Sequence, residues 1–270
     1  MPSFSSSSSA PVGPLQQRFR AARRDPGLAV LEGLHALKHA LRFGAAVECV
    51  AVADPERVRR LAAALCPDVA DRVLAGAQVV TAEEFAGLAP QPPSTGVIAL
   101  ARRPRFDLDA LLGGGRSAPV VLLEEPTDLG NVGACVRVAA AAEAAGLITT
   151  GVHDPWDPAA LRGGAGLHFA LPVGRVGAEE LARVGRARPL VAVDPEGEPL
   201  REVELPPRAV LAFGGERRGL SEELLRRAER RVRLPMRAGV SSLNLATAVA
   251  ATLYGSVWLG QGAHGPSVPR

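Results

Sequence analysis

The sequence predicts an α/β protein, with a C-terminal unit built on a parallel sheet and a smaller α/β unit before it. Three observations carry this prediction. Short unbroken apolar runs such as "PVVLLEE" (119–125) suit strands buried on both faces. Such runs alternate with segments of helical spacing, and regular strand–helix alternation implies a mostly parallel sheet covered on both sides. Between the two units, "RRPRFDLDALLGGGRSA" (102–118) is rich in Pro, Gly and charge and reads as a connection. The expected division is a tail over 1–12, a first unit over 13–105, a linker over 106–118 and a second unit over 119–270. The length of 270 residues allows one large or two ordinary domains, and 47% apolar residues allow a sizeable core.

The elements follow in order. "LQQRFRAARR" (15–24) reads as a short basic helix. A brief strand comes next, then Leu31, Leu34, Leu37 and Leu41 at helical spacing, stopped by Gly44. "VECVAVA" (47–53) is a strand and "PERVRRLAAAL" (55–65) a helix with Pro at its start. "AQVVT" and "GVIAL" are strands flanking the helix "AEEFAGL". In the second unit, "GNVGACVRVAAAAEAAG" (130–146) is an Ala-rich helix, and "LITTG", "PLVAVD" and "AVLAFG" are strands. Further helices are expected at "AEELARVG", "SEELLRRAER" and "SSLNLATAVAATLYGSVW".

Composition narrows the function classes. Residues 15–105 hold thirteen Lys or Arg against nine Asp or Glu, whereas residues 106–270 hold eighteen against nineteen. A polyanion therefore belongs with the first unit. All basic residues but Lys38 are Arg, and guanidinium forks suit phosphate. The three cysteines form no CxxC pair, which points to a reduced, cytoplasmic chain with neither a disulfide framework nor a metal site. "MPSFSSSSSA" lacks the apolar core of a signal peptide and reads as disordered. The longest apolar stretch, "LATAVAATLYGSVWLG" (245–260), falls short of the ~20 residues of a membrane span and reads as a buried or interface helix.

Three stretches carry chemistry, each a strand end, a glycine-bearing loop and a helix start. In "EEPTDLGNVGACVRVAAAAEAAG" (124–146), Asn131 is placed to cap the helix. Arg137 follows it as a lone charge on a small apolar face, either a solvated side chain or the mark of an anionic partner. In "LAFGGERRGLSEELLRRAERRVRLPM" (211–236), glycines permit close backbone approach, Glu216 follows two of them, and Ser221 caps a helix. It is no GxGxxG and has no P-loop lysine, which leaves a nucleoside-triphosphate site unsupported. In "RLPMRAGVSSLNLATAVA", Ser241 or Ser242 suffices as a cap, so the other hydroxyl and the Asn244 amide remain for a site.

Taken together, the three stretches resemble the SpoU/TrmH family of RNA ribose methyltransferases in the trefoil-knotted SPOUT superfamily. "NVGACVR" is similar to the family's first motif, "GGERRGLS" to its second and "LPMRAGVSSLNLATAVA" to its third, over about residues 119–260. Leu129 stands where many members have Pro, and Cys135 where they have an aliphatic residue. "VLEGLHALKHAL" and "TGVIALARRP" resemble the ribosomal-protein-like RNA-binding domain that many members carry. The resemblance implies a knotted homodimer that holds S-adenosyl-L-methionine near Gly214, Leu234, Met236 and Leu243. It implies a reaction centre of Arg137, Asn131, Glu216, Ser242 and Asn244, with Glu216 holding Arg137 or a nearby loop. No metal is implied. The expected substrate is ribosomal RNA, with tRNA, a resistance-conferring rRNA site, or a catalytically silent assembly role as alternatives. A Rossmann enzyme acting on a small molecule would need a glycine fingerprint after its first strand, and here only Gly130 and Gly133 stand there. The first unit's basic ends, Arg18, Arg20, Arg23 and Arg24 with Arg102, Arg103 and Arg105, are expected to form one phosphate-binding patch.

Overall fold

The computed structural model describes residues 13–260; the expected tail over 1–12 lies outside them. The first unit runs α1 (Pro14–Ala22), β1 (Leu28–Glu32), α2 (Leu34–Arg42), β2 (Val47–Val52), α3 (Pro55–Leu65), α4 (Ala70–Val73), β3 (Gln78–Val79), α5 (Ala82–Ala86) and β4 (Val97–Arg102). Its sheet has the order β1-β4-β2-β3, with β4 antiparallel to both neighbours and β2–β3 parallel. Strand alternation sends Val30, Ile98 and Leu100 toward Phe19 of α1 and Phe85 of α5. Leu31, Ala99 and Val52 go to the opposite face with α2 and α3. Leu31, expected to begin the helical stripe, belongs to β1, because Gly33 at φ 99° breaks the chain before Leu34.

The second unit runs α6 (Leu108–Gly113), β5 (Val120–Glu124), α7 (Leu129–Ala141), β6 (Gly146–Thr149), α8 (Pro158–Gly163), β7 (Val173–Arg175), α9 (Ala178–Ala187), β8 (Leu190–Pro199), β9 (Val210–Gly214), α10 (Glu222–Arg227), β10 (Arg230–Arg233) and α11 (Leu245–Gly260). The strand order is β10-β8-β9-β5-β6-β7, and every neighbouring pair is parallel. Val120–Leu123 are fully buried. Val121 and Leu123 face α7, α8 and α11, while Val120 and Leu122 face α6, α9 and α10. The six helical residues 108–113 lie within the stretch expected to be linker. Leu108, Leu111 and Leu112 bury themselves, and the Arg188 guanidinium donates to the Leu111, Leu112 and Ala118 carbonyls. Composition hid this helix because it ends on Gly113, with Gly114 and Gly115 directly after it.

The two units share one core. Leu34 and Leu37 of α2 belong to the same buried cluster as Leu161 of α8 and Phe169. Polar links reinforce the seam: His39 Nδ1 lies 2.7 Å from the Ala165 carbonyl, Arg103 pairs with Asp154 at 2.6 Å, and buried Glu32 pairs with both Arg23 and Arg162. Glycine makes α7 and α8 approach closely. A Cβ on Gly133 would sit 2.6 Å from the Gly164 nitrogen and 2.9 Å from the Gly163 carbonyl carbon. Cys49 in β2, Cys66 after α3 and Cys135 in α7 are all free thiols and all buried. Among the described residues, no helix is long and apolar enough to cross a membrane.

Candidate active site

The carboxyl ends of β5, β9 and β8 lie side by side, so the loops that leave them share one end of the sheet. This is where open parallel sheets take ligands. A cavity of about 510 Å³ opens there, within the range of small-molecule sites. Gly214, Leu234, Met236, Ser242, Leu243 and Asn244 line it, with Glu216 at its edge. All four residues expected to hold a cofactor are therefore in one place. Val193, Asp194 and Pro195 from β8 also line it. The sequence reading missed them, although Asp194 follows the apolar run of a strand adjacent to β9.

A chain of hydrogen bonds ties the three loops together. Thr127 donates to Glu216 Oε2 through its hydroxyl at 3.1 Å and its amide at 3.3 Å. Asn131 Nδ2 donates to Glu216 Oε1 at 3.0 Å. Asn244 Nδ2 donates to Asn131 Oδ1 at 2.9 Å, and Asn244 Oδ1 accepts the Ala246 amide at 3.0 Å at the start of α11. Partial burial pushes the Glu216 pKa up, but the hydrogen bonds from Asn131, its own backbone and Thr127 outweigh it and leave it below the usual value. Glu216 is thus held as a carboxylate, a positioning acceptor rather than a strong base.

Several sequence expectations change here. Asp128, not Asn131, caps α7, by accepting the Asn131 amide at 2.8 Å. That frees the Asn131 side chain for Glu216. Neither Ser241 nor Ser242 caps α11, which begins at Leu245 with Asn244 as its cap. Both serines are exposed in the loop, as is Leu243. Ser221 caps α10 as expected, but that helix ends at Arg227 and "RRAERR" runs on into β10. Of the two roles expected of Glu216, holding a nearby loop is the one seen within this chain, through Thr127 and Asn131. Arg137 is exposed, and its charge is felt at His35 of α2. The His35 imidazole is held below its usual pKa by burial first, then by Lys38 and by Arg137. Cys135, behind Glu216, is an inert thiol: burial and then the Glu216 charge push it up to about 12.

The expected basic patch is also thinned. Arg18 and Arg102 pair with Glu48, Arg23 with Glu32 and Arg103 with Asp154. Among the described residues, the side chains of Arg20, Arg24 and Arg105 make no hydrogen bond or ion pair.

A parallel α/β sheet, an apolar cavity at its carboxyl edge and a polar chain across three loops define a cofactor-binding α/β domain with chemistry at the loop junction. The chain belongs to the SpoU rRNA Methylase family, whose model matches residues 118–254, just over half of it. It is 33% identical over 182 residues to a 23S rRNA uridine 2′-O-methyltransferase of Streptomyces viridochromogenes, covering 62% of this chain and 60% of that protein. It is 30% identical over 249 residues to an uncharacterized tRNA/rRNA methyltransferase of Synechocystis sp., covering 86% and 84%. The first relative thus extends well beyond the aligned segment. The fold is similar to that of the SpoU methyltransferase AviRb of Streptomyces viridochromogenes in complex with AdoMet, with a TM-score of 0.76, 26% identity and coverage of 93% and 100%.

Proposed function

We propose that this chain methylates a ribose 2′-hydroxyl in RNA, ribosomal RNA in preference to tRNA, using S-adenosyl-L-methionine. The observation that carries it is the Thr127–Glu216–Asn131–Asn244 chain beside a cavity of the right size. The cavity fits the cofactor's chemistry: Leu234, Met236 and Leu243 offer apolar walls to a flat base, and the strand end at Gly214 offers backbone groups. When bound, the cofactor supplies an electrophilic methyl on a sulfonium. The protein's work is then to place the ribose hydroxyl in line with that methyl and help it lose a proton. Asn131, fixed from both sides, orients the hydroxyl. Arg137 holds the neighbouring phosphate and stabilises the developing oxyanion. It does so from a second copy of the chain, since Glu216 and Asn244 are engaged without it.

That copy docks on α11. Leu245, Val249 and Leu253 of this helix are buried, while Ala251 and Tyr254 are exposed on another face. The knotted threading and an RNA-binding role for the first unit, through Arg20, Arg24 and Arg105, complete the proposal. The preference for ribosomal RNA draws support from the Streptomyces relative's name. The test is transfer of labelled methyl to bulk ribosomal RNA and, separately, to bulk tRNA, with the product mapped to the ribose. Label in ribosomal RNA is expected; label in neither RNA removes the reading.

A further inference from the structure

A second cavity, of about 580 Å³, lies beyond the Gly215–Gly219 loop from the first, and Gly215, Glu216, Arg217 and Gly219 wall both. Glu125 and Arg218 line only the second. Glu125 is built in at a cost. Its φ is 45°, a left-handed conformation that a non-glycine residue rarely adopts. The surroundings enforce it. The Glu125 amide donates to Thr150 Oγ1 at 3.0 Å, and Gly151, itself at φ 81°, leaves room that a Cβ would fill at 3.2 Å from the Glu125 Cα. Gly215 lies as close on the other side, where a Cβ would stand 2.7 Å from the Glu125 carbonyl oxygen. Two glycines and a threonine thus hold one exposed acid in the lining of a cavity. Strain kept in this way marks a position whose side-chain direction matters. Among the described residues, the Glu125 carboxylate and the Arg218 guanidinium make no hydrogen bond or ion pair.

We propose that this second cavity receives the target nucleotide, flipped out of the RNA, with Glu125 reading the base and Arg218 holding its phosphate. The inference rests on the methyltransferase reading above and gives that reading a base preference. Glu216 walls both cavities, so a nucleotide in the second has its ribose beside the cofactor in the first. A carboxylate only accepts hydrogen bonds. Guanine presents two adjacent donors, its ring N–H and exocyclic amino group, and so matches both carboxylate oxygens. Adenine and cytosine present one amino group each. Uracil's single ring N–H lies between two carbonyls, which repel a carboxylate. The order is guanine first and uracil last. Removing a base from its stack for such inspection is general among enzymes that act on single nucleotides.

The test uses the full chain saturated with S-adenosylhomocysteine, so that the first cavity is filled, and titrates GMP, AMP, CMP and UMP by NMR or calorimetry. GMP should bind roughly tenfold more tightly than UMP, the scale of one well-formed base contact. Glu125→Gln, whose amide both donates and accepts, should erase that difference at an unchanged melting temperature. Arg218→Ala should weaken all four nucleotides by a similar factor. Equal binding of GMP and UMP by the parent chain, no nucleotide binding at all, or a preference that survives Glu125→Gln overturns the proposal. Methylation of bulk RNA is measured beside it. Activity without the nucleotide pattern removes this pocket alone, and the pattern without activity removes the methyltransferase reading alone.

Discussion

At the residue scale, the site rests on polar side chains that fix one another, Thr127 and Asn131 on Glu216 and Asn244 on Asn131. Asn131, Glu216 and Asn244 stand out as polar residues at loop–helix junctions. Nothing local says that Glu216 meets Thr127, 89 positions away, or that Asp128 takes the capping duty expected of Asn131. Arg137 has the plainest consequence. Arg137→Ala should abolish turnover and leave S-adenosyl-L-methionine affinity within a few-fold, since Arg137 does not line the cofactor cavity. Near-normal methylation by that variant, read beside calorimetry, contradicts its role. His168 should make the fold sensitive to acid. It is fully buried, and burial lowers its pKa to about 4 from 6.5, against smaller opposing effects of the Pro155 carbonyl and Asp154. Between those values the unfolded chain binds a proton that the folded chain refuses. Stability is therefore complete above pH 6.5 and falls as pH drops toward 4, by roughly 3 kcal/mol in all. His168→Gln should flatten this slope in denaturant titrations at pH 7, 5.5 and 4.5; an unchanged slope places the acid sensitivity elsewhere.

At the element scale, period and punctuation served well where a helix or strand satisfies its own rules. α3 runs from Pro55 to Leu65 as the sequence predicts, and the parallel sheet follows from its apolar runs. The failures share a cause, because tertiary contacts moved the boundaries. α6 survives in a glycine-rich stretch because Arg188 satisfies its last carbonyls. α11 starts late because Asn244 rather than a serine turns toward it. The double duty of Asn244 can be separated. Asn244→Ala loses the cap, worth about 1 kcal/mol, together with the bond to Asn131. Asn244→Asp keeps an oxygen for the Ala246 amide but cannot donate to Asn131. It should hold the melting temperature near that of the parent chain while slowing methyl transfer at least tenfold. A variant as active as the parent would show that the Asn131–Asn244 link has no part in the reaction.

At the scale of the whole molecule, two units drawn from composition fold around one core, which the sequence could not show because the seam includes pairs over 120 positions apart, His39 with Ala165 and Glu32 with Arg162. Glu32 is the sharpest test. Its carboxylate is buried between Arg23 of its own unit and Arg162 of the other. Glu32→Ala leaves those partly exposed cations without their acid and should lower stability. If the seam couples the units, melting stays a single transition at lower temperature; two separated transitions would mean that they fold independently. Assembly is the companion prediction: light scattering at micromolar concentration should give a dimer, and a monomer there contradicts docking on α11. The buried thiols add a way to time these events. A maleimide cannot reach Cys49, Cys66 or Cys135 until the chain opens around them. Two of the three lie in the first unit and one in the second, so mass spectrometry after a brief labelling pulse resolves them by position. The protein carries its own clocks, and the order in which its cysteines acquire label will tell which half breathes first.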